Sequence, residues 1–331
     1  MSREQTFLMK PKVDFCFKEL MEDGEVRKGF ISALLDVKPE DIRSTELLPT
    51  HLRKEHEEDK QGILDVRAFV RSQAKGKEGT FEEENQEEVS QMDLEIQLAS
   101  FPLWPERSIF YLAKMYAGGI QKGQSYEVLP KCIHVGILDF LLFEEDEEYY
   151  SRFHLWEDTR RRMYSDKLEL HILELPKLAG REYPPTELLK WASFFRAEKK
   201  EEFEMAAEGS SYIERAYERL TEISADDLKR LEYEAREKAI RDHMYLMNYN
   251  LKKGLEAGRE EGRKEGRKEG RKEGRKEGLE EGLERGSKAL IKMCREYSCT
   301  REEACSRLMQ EFSISSEEAE KYLEKYWIAQ P

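Results

Sequence analysis

Hydrophobic and polar residues alternate along this chain with two different periods, and the pattern changes near residue 200. Between residues 14 and 36, apolar side chains recur every three or four positions, which predicts a helix or a helical pair interrupted near Asp23 and Gly24. Shorter apolar runs predict strands at residues 42–48, 64–71, 89–99, 129–143, 149–155 and 168–175. Further helices are predicted at residues 106–121 and 187–198. These elements together predict a mixed α/β core with five or six strands.

The order of the predicted elements indicates which strands pair and which side chains of the helix between them are buried. Residues 73–91 are polar and acidic and contain glycine, so we expect a long connection between two hairpin strands. The strand at residues 149–155 is expected to pair with the apolar strand at residues 129–143. The helix between these two hairpins is expected to bury the apolar residues Ile109, Phe110, Leu112 and Met115.

Beyond residue 200 the apolar spacing is helical. Helices are predicted at residues 212–223, 226–251, 289–296, 300–310 and 316–327. Thr300 and Glu303 have the spacing of a capping box at the start of one of them. Glycine recurs at every fourth position from Gly254 to Gly286, and each one costs a helix about 0.5–1 kcal/mol relative to alanine. This tract is therefore either a helix stabilised by close packing against a partner helix or a linker.

These patterns divide the chain into four expected segments. The first is the mixed α/β domain, at residues 1–200, and a helical connector follows at residues 201–251. The glycine repeat occupies residues 252–286, and a small helical module forms the tail at residues 287–331. We expect the helical region after the first domain to mediate homo-oligomer formation.

Composition narrows the class of protein. The 331 residues are 38% charged with a net charge of −14, which argues against a protein that coats nucleic acid but permits a local basic groove. The five cysteines lack the paired spacing of a zinc site, so reduced thiols are expected. The chain lacks the apolar core of a signal peptide at its start and any window of about 20 apolar residues. We therefore expect a cytoplasmic protein that does not enter a membrane.

Two acidic residues, Asp65 and Glu95, interrupt apolar strands. A carboxylate in a core strand costs free energy unless it is paired, and a divalent cation is one such partner. On neighbouring strands the two would form a small anionic pocket, whereas the alternative is a pair of sheet-edge residues facing water. Gln97 lies on the same face as Glu95, because strand side chains alternate with period two. Asp14 begins the first helix one turn before Lys18, and a helix cap is the alternative to a functional role.

Several short motifs follow one another along the first 200 residues. They are Asp14-Phe15-Cys16-Phe17-Lys18, Phe30-Ile31-Ser32-Ala33-Leu34-Leu35, Leu64-Asp65-Val66, Glu95-Ile96-Gln97, Arg107 with Tyr111 and Tyr116, Gly123-Gln124-Ser125-Tyr126, and Leu173-Glu174-Leu175-Pro176-Lys177. Their order resembles the PD-(D/E)XK nuclease core and, more narrowly, the Rpn family of recombination-promoting nucleases and putative transposases. The resemblance implies an α/β fold with a mixed (α+β) sheet: a PD-(D/E)XK nuclease-like core with an extended α-helical C-terminal region.

The resemblance also implies a function, the Mg²⁺-dependent hydrolysis of DNA phosphodiester bonds, with Mn²⁺ as the alternative ion. It assigns Asp65 and Glu95 to the metal, and Asp14 to an additional contact at the catalytic centre. Gln97 stands where the wider superfamily has a catalytic lysine, and an amide can orient water but cannot stabilise an oxyanion by charge. The resemblance implies contacts with the DNA phosphates for Lys18, Arg107, Tyr111 and Lys114. For Arg107, Tyr111 and Lys114 the alternative is pairing with other side chains on the protein surface.

Two other classes of function compete with this one. The chain would be a catalytically degenerate nuclease fold that acts as an oligomerising interaction module if it bound no Mg²⁺. A regulatory DNA-binding protein is the third class, and the acidic net charge weakens it.

Overall fold

The computed structural model describes residues 7–51, 64–73, 87–100 and 102–327. The chain divides into two compact units, the first of which ends at Met244 and the second of which begins at Tyr245. Each unit has a hydrophobic core of its own. None of the helices in the described ranges is long and apolar enough to cross a lipid bilayer.

The first unit is built on a mixed sheet. Its six strands are β1 (Ile42–Leu48), β2 (Val66–Gln73), β3 (Glu87–Gln97), β4 (Lys131–Leu138), β5 (Tyr150–Glu157) and β6 (Arg162–Glu174). They are arranged in the order β1-β2-β3-β4-β6-β5. The central pairs β3–β4 and β4–β6 are parallel, whereas the outer pairs are antiparallel. The predicted mixed α/β architecture is therefore confirmed.

Helices cover both faces of this sheet. Those of the first unit are α1 (Asp14–Met21), α2 (Gly24–Leu35), α3 (Trp104–Ala117), α4 (Glu187–Arg196), α5 (Lys200–Ala207), α6 (Ser211–Ala225) and the beginning of α7 (Asp227–Glu296). Residues of α1, α2, α4, α5 and α6 form the main core with Met92, Leu94 and Ile96 of β3. Because strand side chains alternate, Asp93, Glu95 and Gln97 belong to the opposite face, on which α3 packs.

The break that was predicted near Asp23 is confirmed. Its side chain accepts hydrogen bonds from the backbone N–H groups of Glu25, at 3.0 Å, and Val26, at 3.1 Å. These two donors have no partner within the helix, so the carboxylate caps α2 and separates it from α1.

Strand β3 begins at Glu87, two residues before the predicted start at residue 89, so Glu87 and Glu88 belong to the sheet rather than to the predicted connection. Residues 74–86 of that connection lie outside the described ranges. The predicted pairing of the strand at residues 149–155 was wrong. Strand β5 pairs with β6, not with the apolar strand β4. A tight turn joins β5 to β6, with Arg161 in the left-handed region at a φ of 54°, and this local hairpin places β6 between β5 and β4.

The predicted buried side of α3 also needs correction. Ile109 and Phe110 are 56% and 38% exposed. The helix instead buries the stripe Trp104, Ser108, Tyr111, Leu112 and Met115. This stripe has helical spacing, but it includes a serine and two aromatic residues with polar atoms. The prediction counted mainly aliphatic residues and therefore chose the wrong side of the helix. On β4, Gly136 leaves the space that the indole of Trp104 fills.

The second unit contains the remainder of α7 with α8 (Arg301–Phe312) and α9 (Ser316–Tyr326). Its core consists of Ile291, Cys294, Ala304, Leu308, Ala319 and Leu323. The predicted capping box is confirmed, because the Thr300 hydroxyl accepts from the Glu303 N–H and the Glu303 carboxylate accepts from the Thr300 N–H. The glycine tract is helical throughout.

Candidate active site

A cavity of about 300 Å³ lies where the start of β2 meets the end of β3. Its polar lining consists of Asp14, Asp65, Glu95, Gln97, Arg107, Arg236 and His243. The fold therefore brings together all four residues that were predicted to be catalytic. Of the residues predicted to bind substrate, Arg107 lines the cavity and Lys18 contacts Asp65 beside it.

Asp65 lies immediately before β2 and is held from two sides. The ammonium group of Lys18, from α1, lies 2.9 Å from its Oδ1. The backbone N–H of Ile96, in β3, donates a hydrogen bond of 3.2 Å to its Oδ2. The carboxylate is 21% exposed, so it remains accessible from the cavity.

Glu95 is almost completely buried, with 2% of its surface exposed. The guanidinium of Arg107, at the start of α3, donates a hydrogen bond to its Oε1. Its Oε2 has no hydrogen-bond partner among the described residues. Burial raises the pKa of Glu95 to about 7, although His134 and Arg107 act in the opposite direction.

Gln97 and Asp14 complete the polar wall. The Gln97 side-chain amide donates to the carbonyl of Ala99 at 3.1 Å. Asp14 is the first residue of α1, whose N-cap position is Val13, and it makes no side-chain cap. Its Oδ2 lies 3.8 Å from Lys18 and 4.0 Å from Arg236.

Tyr111 and Lys114 are not among the residues that line the cavity. Tyr111 is buried under α3, and its ring centre lies 5.3 Å from the guanidinium carbon of Arg107. The ammonium group of Lys114 lies 5.5 Å from the ring centre of Phe110, which points away from the buried stripe of the helix. Tyr111 therefore packs against Arg107 and does not line the cavity itself.

The sequence did not reveal four polar residues of this region. Asp93 and His134 are fully buried next to Glu95, and the His134 Nδ1 lies 2.6 Å from the Asp93 Oδ2. Burial raises the pKa of Asp93. Burial lowers the pKa of His134, but its hydrogen bond with Asp93 and the charges of Asp93 and Glu95 together outweigh burial, so that pKa is raised. The two-residue spacing of Asp93 and Glu95 could have indicated that both lie on one face of a strand. The pairing of β3 with β4, which brings His134 to them, could not be seen in the sequence. The other two residues, Arg236 and His243, reach the cavity from α7.

Asp65, immediately before β2, and Glu95-x-Gln97, at the end of the adjacent antiparallel strand β3, meet at one cavity, which is the layout of a nuclease core. The family model described as PD-(D/E)XK nuclease family transposase matches residues 11–250, so the chain belongs to that family. This match confirms the resemblance that the motifs indicated. No match to the chain was found among curated proteins or among solved structures.

Proposed function

We propose that this protein is a divalent-metal-dependent DNA endonuclease that hydrolyses phosphodiester bonds and promotes DNA recombination. The observation that supports it best is the pair Asp65 and Glu95 at one cavity of about 300 Å³, in a fold of the nuclease family. Lys18 and Arg107 lie directly against these two carboxylates. The cavity thus combines acidic groups for a cation with basic groups for a phosphate.

The residues fit a hard divalent cation. Carboxylate oxygens are the ligands that Mg²⁺ and Mn²⁺ prefer, and the buried Glu95 Oε2 lacks a partner among the described residues. Asp65 and Glu95 would hold the ion in the cavity. Such an ion polarises a phosphoryl oxygen and lowers the pKa of a bound water.

The remaining side chains would bind and orient the substrate. Lys18 and Arg107 carry the charge that attracts a DNA phosphate, and Tyr111 supports the guanidinium of Arg107 from below. Lys114, on α3, would extend this basic surface along the DNA. Gln97 would orient the attacking water through its amide, because it has no charge with which to stabilise an oxyanion. Asp14 would position Lys18, from 3.8 Å away.

The second candidate function is that of a catalytically degenerate nuclease fold that acts as an oligomerising module. It is favoured by Gln97, whose amide is engaged with the carbonyl of Ala99 and which replaces a charged lysine. In both cases we propose that the helical region after the first unit mediates homo-oligomer formation.

A plasmid-nicking assay tests the nuclease proposal. With Mg²⁺ present, we expect Asp65→Asn and Glu95→Gln each to lower the nicking rate at least about 100-fold, because each removes a charged ligand without changing the size of the side chain. Asp158→Asn is the matched control, since Asp158 is exposed in the turn between β5 and β6. Equal nicking by the wild type and Asp65→Asn contradicts the proposal, and an inactive wild type that binds no Mg²⁺ supports the degenerate module.

A further inference from the structure

One face of helix α7 forms a wall of the candidate active site. Arg236, Ala239, Ile240 and His243 line the cavity, and their spacing of three, four and seven residues places them on the same side of a helix. All four belong to the first unit, which ends at Met244. This face therefore brings a guanidinium and an imidazole to the cavity, together with the carboxylates that line it.

The guanidinium of Arg236 is more exposed than the other two cationic groups of this site. Its side chain is 62% exposed, compared with 39% for Lys18 and 29% for Arg107. Lys18 and Arg107 each contact one of the two carboxylates that would hold the ion, whereas the Nε of Arg236 lies 4.0 Å from the Oδ2 of Asp14, at the limit of an ion pair. His243 is exposed and forms no hydrogen bond or ion pair with another residue in the described part of the chain. Both side chains of α7 thus have donors available for a ligand.

The contact with Asp14 does not explain the position of Arg236. An exposed ion pair at this distance stabilises a fold very little, because water screens it. Tyr233, three residues earlier, holds α7 in place instead: it is 2% exposed in the main core, and its hydroxyl accepts a hydrogen bond of 3.2 Å from the backbone N–H of Lys10. Ile240 also packs against that core. The helix therefore stays in place without Arg236, whose charge remains available to a bound phosphate.

We propose that Arg236 and His243 bind phosphate groups of the DNA strand that enters this cavity. The inference rests on the proposed function, since it names side chains of α7 that hold the substrate of that site. A guanidinium presents N–H donors in a planar fork that matches the oxygens of a phosphate, and an imidazole N–H adds a further donor. Seven residues of helix span about 10.5 Å, so the two side chains contact separate phosphates of the strand. Arg236 also brings to the cavity a positive charge, which the amide of Gln97 does not carry.

Arg241 is the matched control for Arg236, because it lies on the same helix but on a different face. Its side chain is 67% exposed, and its Nη1 lies 3.8 Å from the Oε2 of Glu237, so its exposure and its ion pairing resemble those of Arg236. Five residues rotate a helix by about 140°, which turns Arg241 away from the cavity wall. Arg241 accordingly does not line the cavity.

A DNA-binding measurement tests the inference without relying on cleavage. The parent protein is the full chain carrying Asp65→Asn, kept in EDTA so that the DNA stays intact. Its affinity for a fluorescein-labelled duplex of about 20 base pairs is measured by fluorescence anisotropy over a range of KCl concentrations. Arg236→Gln, His243→Phe and Arg241→Gln are each added to this parent, and circular dichroism checks that every variant folds.

We expect Arg236→Gln to raise the Kd about five- to tenfold, because a charge-assisted hydrogen bond to a phosphate is lost. The plot of the logarithm of the association constant against log[KCl] should become shallower by about 0.9, since one phosphate contact fewer releases fewer counterions. A purely structural role for Arg236 would leave that slope unchanged. His243→Phe should raise the Kd at least about threefold through the loss of its hydrogen bond. Arg241→Gln should change the Kd less than about twofold and leave the slope as in the parent.

Three results would overturn the inference. The first is a Kd and a salt slope that Arg236→Gln leaves unchanged. The second is an equal loss in Arg236→Gln and Arg241→Gln, which would indicate long-range attraction rather than contact. The third is a parent chain that binds no duplex. An unchanged Kd in His243→Phe would overturn the part that concerns His243.

The plasmid-nicking assay separates this inference from the proposed function. Nicking by the wild type, together with unchanged duplex binding in Arg236→Gln, overturns the inference alone. The absence of both nicking by the wild type and duplex binding by the parent overturns both.

Discussion

Two buried glutamates of the same sheet have pKa values that are shifted in opposite directions, and their partners explain why. In the described part of the chain Glu95 forms an ion pair with Arg107 only, and burial raises its pKa to about 7. Glu169, in β6, is 1% exposed, and burial alone would raise its pKa as well. Hydrogen bonds from His171 and Lys131, together with the charges of Lys131 and Arg152, outweigh burial, so the pKa of Glu169 lies well below its usual range. A carboxylate with a partner on each oxygen stabilises the fold, whereas one with a free oxygen is available for a ligand.

The contribution of Glu169 to stability should depend on pH. Its carboxylate binds Lys131 at 2.6 Å and Arg152 at 2.9 Å, so Glu169→Gln leaves these cations without their charged partner. We expect a loss of about 2 kcal/mol in the free energy of unfolding near neutral pH, measured by urea denaturation with tryptophan fluorescence. A group with a lowered folded-state pKa stabilises the fold above its unfolded pKa. The difference between the two proteins should therefore shrink as the pH falls below 4.5, the ordinary value for glutamate.

An exposed pair in the same sheet is the control for Glu169. Glu46 lies 3.9 Å from Arg71, and its side chain is 59% exposed. Glu46→Gln should change the free energy of unfolding by less than about 0.5 kcal/mol, because water screens exposed pairs. If the cost of Glu169→Gln stays constant from neutral pH to pH 3, the explanation by ion pairing is wrong.

At the scale of secondary-structure elements, local signals were readable from the sequence and long-range pairing was not. Strand β1 was predicted with its correct bounds, and the cap at Asp23 follows from residues only two and three positions away. The placement of β6 between β4 and β5 depends on the tertiary fold, so the apolar pattern of β4 indicated the wrong neighbour. The short helix α5 was not predicted, because half of its residues are charged and its apolar residues are too few to show a helical period. Its buried side is apparent only from its packing against the core.

The candidate site shows the same division between local and long-range information. Asp65, Glu95 and Gln97 were found because each carries a polar group in an apolar strand. Asp93 lies in that same strand, but its histidine partner is 41 positions away, on β4. No periodicity links residues at such a separation, and only the register of two parallel strands brings them together.

The packing of α3 on the sheet requires a glycine in β4. A Cβ atom at Gly136 would lie 2.6 Å from the Trp104 indole, which is fully buried and begins the helix that carries Arg107. Gly136→Ala should lower the free energy of unfolding by about 1–3 kcal/mol, measured by urea denaturation, because the ring has to move. It should also reduce nicking, since Arg107 would move with α3. Gly24→Ala is the control, because its nearest contact would be an ordinary 3.9 Å, and equal stability of both variants would contradict this account.

At the scale of the whole molecule, α7 carries a surface that the second unit leaves uncovered. Among the described residues, nothing lies within 4 Å of a Cβ atom added at Gly254, Gly258, Gly262, Gly266, Gly270, Gly274, Gly278 or Gly282. A four-residue period advances by about 40° per repeat on a 3.6-residue helix, so the glycines form a slowly winding stripe. A period above 3.6 favours right-handed winding of a partner helix along it. The exposed stripe supports the proposal that a second copy of the chain packs there at close range.

Replacing glycines in this stripe separates helix stability from assembly. In the variant with Gly262, Gly266, Gly270 and Gly274 all changed to alanine, each substitution should favour the isolated helix by about 0.5–1 kcal/mol. The added methyl groups should also hold a partner helix farther away, because the distance between packed helices depends on the side chains at their contact. We therefore expect greater helicity by circular dichroism together with a lower mass by light scattering at equal concentration. The control changes Lys264, Lys268, Lys272 and Lys276 to glutamine, which keeps the glycines and should preserve the mass. An unchanged mass in the alanine variant would show that the glycine stripe is not the assembly surface.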